Sequence, residues 1–247
     1  MPTRLISMVI DAADPGRLAR FWADALGWEV TVDESDEAAV EADETTEWGD
    51  GSTPCLTFAP VDEAQVGKNR MHLDLASASW RQQRERVDRL LELGAHRADI
   101  GQGEVPWVVL ADPEGNEFCV LDPRDDDEQC EGIAAVVLDC RDPQGLASFW
   151  SQATGWPFTI AHPKLVSLRH PGTAVAPRLE LLATVEAKQG KNRVHLDVAP
   201  RPGDELDREV TRLEAAGAQQ IDVGQGRVSW VVLADPEGNE LCVLPPR

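Results

Sequence analysis

WVVLADPEGNEFCVL, Trp107 to Leu121, returns as WVVLADPEGNELCVL, Trp230 to Leu244, with one change, Phe118 to Leu241. A match of that length inside one chain marks a duplicated unit. The repeat extends outward: IDAADPGRLARFWADALGW (Ile10 to Trp28) is answered by LDCRDPQGLASFWSQATGW (Leu138 to Trp156), and GKNRMHLDLA (Gly67 to Ala76) by GKNRVHLDVA (Gly190 to Ala199). The first pair is offset by 138 − 10 = 128 positions and the second by 190 − 67 = 123, so the first half carries five extra residues between the blocks. The surplus falls in Asp33 to Asp50, acidic and poor in apolar residues, which reads as an exposed loop.

A chain of 247 residues in two similar halves implies two domains or one pseudo-symmetric body. The expected units are residues 1–123 and 132–247, joined by an acidic linker at 124–131 within DPRDDDEQCEG. No stretch approaches the roughly 20 consecutive apolar residues of a membrane span. The N-terminus runs straight into a repeated block, so no signal peptide is expected and a cytoplasmic location is. Five cysteines without CxxC spacing argue against a disulfide framework. A formal charge of −21 counts against nucleic acid and anionic membranes as partners and leaves a small molecule. A monomer with pseudo-two-fold domains and a homodimer both fit.

Each half opens with an apolar strand, Leu5 to Asp11 or Ile133 to Asp139. The following helix is capped by Asp14 or Asp142, with proline at its first position and Gly27 or Gly155 at its exit. Its stripe is Leu18, Phe21, Trp22 and Ala25 in one copy and Leu146, Phe149 and Trp150 in the other. Short strands follow, then a strand around HLD, a second helix closing at Gly94 or Gly217, and two strands joined by Asp-Pro-Glu-Gly-Asn, whose composition suits a tight turn. The pattern is strand, helix, several strands, four times over in an α+β arrangement, with helices on one face of each sheet and the other face open to a ligand.

The order of an aspartate-capped FW helix ending in LGW or TGW, KNRxHLD at mid-domain and DPEGNE(F/L)CVL at the end resembles the glyoxalase-like branch of the vicinal oxygen chelate (VOC) superfamily, once per half and over nearly the whole chain. The resemblance implies paired βαβββ modules whose curled mixed sheets form a cup around a small ligand. Glyoxalases, extradiol dioxygenases, epimerases, fosfomycin-modifying enzymes and bleomycin resistance proteins share that description, so it names a cup and not a reaction.

By the same resemblance, metal ligands would fall at Ser7, His72 and Cys119, and at Ala135, His195 and Cys242. Only the histidines match: a serine hydroxyl is a weak divalent ligand and alanine offers none. Glu117 and Glu240 lie two residues before the cysteines, on the same strand face, and can reach the same cavity. Alternatively a Cys119 or Cys242 thiolate joins a histidine on zinc. Glu180 resembles the additional carboxylate ligand of glyoxalase enzymes and corresponds to Thr57 in the first half. Assembled within a half it would face His195, Glu240 and Cys242, and across a swapped pair it would face His72, Glu117 and Cys119. Both arrangements stay open.

Bland roles compete with each of these. Asp74 and Asp197 share a face with the histidines two positions earlier and can simply pair with them. Glu117 and Glu240 can pair with Arg70 and Arg193, and the cysteines can be small buried apolar groups. Trp107 and Trp230 precede the final hairpins, placed to line a cup. Trp48, in the acidic insertion, is read either as a cover over a cationic aromatic ligand or as a loop anchor.

The favoured expectation is a protein that binds a small organic metabolite or antibiotic without a resident cofactor, using Ser7, Thr57, Trp107, Cys119, Trp230 and Cys242 as cup lining. The alternative is a lyase, isomerase or dioxygenase type enzyme. There His72, Glu117, Glu180, His195 and Glu240 act as acid/base groups or as ligands of zinc, nickel, manganese or iron.

Overall fold

The computed structural model describes residues 2–42, 52, 54–62, 67–125, 130, 132–173 and 176–246. The first module is β1 (Arg4–Ala12), α1 (Pro15–Leu26), β2 (Glu29–Asp33), β3 (Ala38–Glu41) and β4 (Cys55–Pro60). The second is β5 (Met71–Leu75), α2 (Trp80–Leu93), β6 (His96–Arg97), β7 (Val108–Ala111) and β8 (Glu117–Val120). The third is β9 (Ile133–Cys140), α3 (Pro143–Thr154), β10 (Phe158–His162), β11 (Leu165–Leu168) and β12 (Arg178–Ala183). The fourth is β13 (Val194–Ala199), α4 (Leu206–Ala215), β14 (Gln219–Gln220), β15 (Val231–Ala234) and β16 (Glu240–Val243).

Local chemistry sets the helix ends where the sequence places them. The Asp14 side chain accepts from Arg17 N, Pro15 takes the first helical position, and Gly27 exits in the left-handed region at φ 69°. Asp142, Pro143 and Gly155 repeat this on α3. Leu18, Phe21 and Trp22 then face the core, where Phe21 and Trp22 meet Phe118 edge to face.

Pairing of the modules is not sequential. One eight-stranded sheet runs β14-β15-β16-β13-β1-β4-β3-β2 and joins the first module to the fourth; we call it the outer sheet. The other runs β10-β11-β12-β9-β5-β8-β7-β6 and joins the second to the third; we call it the inner sheet. Neither sheet closes on itself, so each is a curled α+β layer with helices on one face. The expected exposed loop at Asp33 to Asp50 needs correction in part: Ala38 to Val40 are buried and form β3, paired with β4. Two small alanines and a valine suffice to cover α1, which packs on that strand. Trp48 and most of the 124–131 linker lie outside the described residues.

The quoted repeat works as a clamp between halves. Asp112 Oδ1 accepts from Glu114 N and Asn116 N, shaping the turn, while its Oδ2 receives Trp22 Nε1 from α1. Glu114 in turn accepts from Ala13 N and Asp14 N at 2.7 and 2.8 Å, just ahead of α1, and from Arg193 of the other half. Glu237 does the same for Arg141 N, Asp142 N and Arg70. Lys68 bonds Asp139 and Lys191 bonds Asp11, again across halves. KNR and DPEGN therefore tie swapped modules together, and Arg70 and Arg193 pair with Glu237 and Glu114; pairing with Glu117 and Glu240 was one of the two roles the sequence left open for those glutamates. The arginines point over the far end of the neighbouring opening strand, which is where the opposite turn sits.

Candidate functional site

Alternation along the strands divides each sheet into a core face and a cup face. On β1, Leu5, Met8, Ile10 and Ala12 join the core, while Ser7, Val9 and Asp11 line a cavity; a bulge between Leu5 and Ser7 resets the alternation. On β13, Val194, Leu196 and Val198 go inward and His195 and Asp197 face the cavity. Glu240 and Cys242 of β16 and Thr57 of β4 reach the same space, which measures about 1680 Å³. Register aligns these groups: Ser7 lies opposite Asp197 and Asp197 opposite Cys242, while Val9 lies between His195 and Thr57.

A compact polar cluster results. Ser7 Oγ donates to Asp197 Oδ2 at 3.2 Å, His195 Nε2 stands 3.5 Å from Asp197 Oδ1, and Cys242 Sγ stands 3.6 Å from His195 Nε2. Burial, helped by Lys191, pulls His195 down to about 3, so its imidazole is neutral near pH 7. Burial pushes Asp197 up to about 7 despite hydrogen bonding from Cys242 and Ser7. Burial and then Asp197 push Cys242 up, so its thiol is protonated at neutral pH and is not a nucleophile there.

The inner sheet repeats the cluster in different surroundings. His72 Nε2 is 3.4 Å from Asp74 Oδ1, and Cys119 completes the group. Ala135, not Ser7, sits in register with Asp74, and Val137 lies between His72 and Glu180. Glu180 therefore shares a sheet with His72 and Cys119, so of the two assemblies open to the sequence the structure has the one that crosses halves. Its carboxylate is occupied: Oε1 accepts from Arg178 Nε at 2.7 Å, both side chains being buried. Cys55 and Thr57 hold the matching places in the outer sheet. Trp107 packs against Val109, Cys119, Leu121 and Ala134, together with Ile100 and Cys130, on the inner cup face. Its twin Trp230 is 37% exposed and lines the outer cavity.

The remaining sequence candidates divide accordingly. Glu240 accepts from Asn192 N at 3.1 Å and Lys188 Nζ at 2.8 Å, and Glu117 accepts from Asn69 N at 3.2 Å. Both glutamates hold the KNR loops and stand outside the His-Asp-Cys groups. The positions assigned to metal by resemblance fall together as Ser7, Thr57, His195 and Cys242 in the outer sheet and as Ala135, Glu180, His72 and Cys119 in the inner, where Glu180 is held by Arg178. What sequence reasoning undervalued is Asp74 and Asp197, treated as mere partners of the histidines. The signal was present in HLD, whose period of two puts histidine and aspartate on one face.

Among the described residues no helix is long and apolar enough to cross a membrane. The family model for a glyoxalase-like domain matches residues 7–121 and again 135–244. No curated protein matches the sequence. Among solved structures, glyoxalase I from Zea mays is similar at a TM-score of 0.67 with 15% identity, over 98% of this chain and 92% of that one. A putative dioxygenase from Bacillus subtilis is similar at 0.63 with 14% identity, over 99% and 86%. Likenesses at that identity concern the fold.

Proposed function

The chain belongs to the glyoxalase-like domain family of the VOC superfamily, and from that premise we propose that it binds one small organic metabolite or antibiotic per chain, in the cup of the outer sheet. The observation that carries this reading is the open cavity of about 1680 Å³ over Ser7, Thr57, His195 and Cys242. Its volume exceeds the range usual for drug-sized ligands, so the ligand fills part of it. The lysines and arginines that line it are matched: Lys68 by Asp139, Arg70 by Glu237, Lys191 by Asp11 and Arg193 by Glu114. Apolar contact comes from Val9, Val32, Val232 and the partly exposed Trp230, with Ser7 and Thr57 as small polar contacts and Asp36, Glu37 and Glu186 as acidic ones. That lining suits an apolar or aromatic molecule with one neutral or cationic polar end.

Thermal shift against a panel of metabolites and antibiotics tests the reading. Compounds that stabilise the native chain should lose that effect in Thr57→Phe, which fills the cup without touching the clamp. Full response in Thr57→Phe contradicts the assignment.

A metal-dependent lyase, isomerase or dioxygenase reading is favoured by one observation, the His195-Asp197-Cys242 cluster at the floor of that cavity. Under it, substrate would bind over the cluster and His195 and Asp197 would be needed for turnover, whereas Glu240, already held by Lys188 and Asn192 N, would not be the acid/base group.

A further inference from the structure

The two cups differ in charge at the mouth, and the difference is reciprocal. In the outer sheet the turn between β2 and β3 carries Glu34, Asp36 and Glu37, whereas the matching turn between β10 and β11 in the inner sheet carries His162, Lys164 and Leu165. Opposite the first turn stands the loop between β14 and β15, whose Val223, Gly224, Gln225, Val228 and Ser229 line the same cavity as Asp36 and Glu37. Its sequence, DVGQGRVSW from Asp222 to Trp230, returns in the inner sheet as DIGQGEVPW from Asp99 to Trp107. One position changes charge, Arg227 against Glu104, and it reverses in the sense that keeps loop and turn opposite in sign. Asp36, Glu37, Glu104, Lys164 and Arg227 are all exposed, and no ion pair engages them among the described residues.

Module pairing gives that reversal a physical meaning. The clamp uses the same residue types in both halves, Lys68 and Arg70 against Lys191 and Arg193, Glu114 against Glu237, so it does not distinguish pairing across halves from pairing within them. The mouth charges do. Across halves, Arg227 is set against Asp36 and Glu37, and Glu104 against Lys164; within halves, Glu104 would be set against Asp36 and Glu37, and Arg227 against Lys164, like against like. The charges therefore address one another across a cup. The two loops also differ in freedom. Gln83 Nε2 donates to Pro106 O at 3.0 Å and ties the inner loop to α2, and Ile100 and Trp107 at the ends of that loop pack on a buried cluster. In the outer sheet Leu206 replaces Gln83 and has no side-chain donor. Gly224 and Gly226 carry the outer loop through φ of 87° and 68°, with nothing within 4 Å of where a Cβ would stand.

We propose that the Asp222 to Ser229 loop is a lid over the outer cavity, latched when Arg227 closes onto Asp36 and Glu37. The lid rests on the reading of that cavity as the binding place and gives it a means of retaining what it binds. Trp230 follows the loop directly and lines the cavity, so closure brings an aromatic ring over the occupant. An exposed ion pair shifts an equilibrium by a factor of about five or less, which suits a lid that must reopen, and salt weakens it. The inner loop carries the opposite charge on a frame that Gln83 holds in place.

Hydrogen exchange of the ligand-free full-length protein, read by mass spectrometry on peptides covering 222–230 and 99–107, tests the latch without any bound compound, so the latch and the binding reading can fail separately. At about 0.05 M salt, Arg227→Glu should speed exchange over 222–230 by about two- to fivefold and leave 99–107 unchanged. Raising the salt to about 0.5 M should bring native exchange over 222–230 up to the variant's rate. Arg227→Glu combined with Asp36→Arg and Glu37→Arg restores opposite signs and should return the native rate. Native exchange over 99–107 reports in the same sample that the fold is intact. Should the triple variant not fold, Arg227→Glu with Glu37→Arg takes its place, and the salt response of the native chain is decisive alone. Equal exchange in native protein and Arg227→Glu, insensitivity to salt, or failure of the reversed charges to restore the native rate overturns the proposal.

Discussion

The outer and inner cups are built from the same modules in the same order, yet the described residues line them differently. Trp230 and Trp107 stand in identical local sequence, Trp-Val-Val-Leu-Ala-Asp-Pro-Glu-Gly-Asn-Glu. The first lines a cavity and the second packs against the buried cluster of Ala76, Val109, Cys119, Leu121 and Ala134. Beside the histidine, the outer sheet offers Cys55 and Thr57 where the inner sheet holds the buried Arg178-Glu180 pair. Duplication has thus kept the scaffold and one polar triad while the walls diverged.

The ion pair offers the largest lever on that contrast. Arg178→Ala leaves Glu180 buried without its cation and should cost about 3–5 kcal/mol in urea unfolding. Installing the outer pair in the inner sheet, Arg178→Cys with Glu180→Thr, should recover most of that loss, because removing both charges removes the desolvation penalty as well. Recovery of less than half would mean that the pair does more than fill space. Next come the tryptophans. Trp107→Ala should destabilise by about 2 kcal/mol through lost packing, whereas Trp230→Ala should stay within about 0.5 kcal/mol and act on ligand response instead. Equal stability losses would erase the distinction between cups. The smallest effect is expected at the exposed Arg20-Asp33 pair, which the second half lacks, since Ser148 and Ala161 occupy those places. Arg20→Ser should change unfolding free energy by about 0.5 kcal/mol or less.

Much of this scaffold is legible in sequence because its signals are local. Asp14, Pro15 and Gly27 state the ends of α1 through backbone chemistry within one turn, and the alternation in VHLDV states which side chains share a face. Module pairing is not local. Leu5 to Asp11 pairs with β13 for reasons spread over Asp11, Lys191, Arg193 and Glu114, which are up to 182 positions apart, so Glu180 could not be assigned to a cup from its own neighbourhood. The glutamates of DPEGNE mislead for the same reason. Their strand position suggests a cup, while their partners are backbone amides of distant loops and helix starts. Trp107 and Trp230 show the limit most plainly: the ten residues after each are identical, yet one packs against a buried cluster and the other lines the cavity.

The proposal that the outer cup takes one ligand per chain is tested most directly by the stoichiometry of a stabilising compound from the thermal-shift panel, measured by isothermal titration calorimetry on native protein and on Thr57→Phe. One molecule per chain, abolished by Thr57→Phe and indifferent to the paired Arg178→Cys and Glu180→Thr change, is the expected result. Two molecules per chain, or undiminished binding in Thr57→Phe, would contradict it.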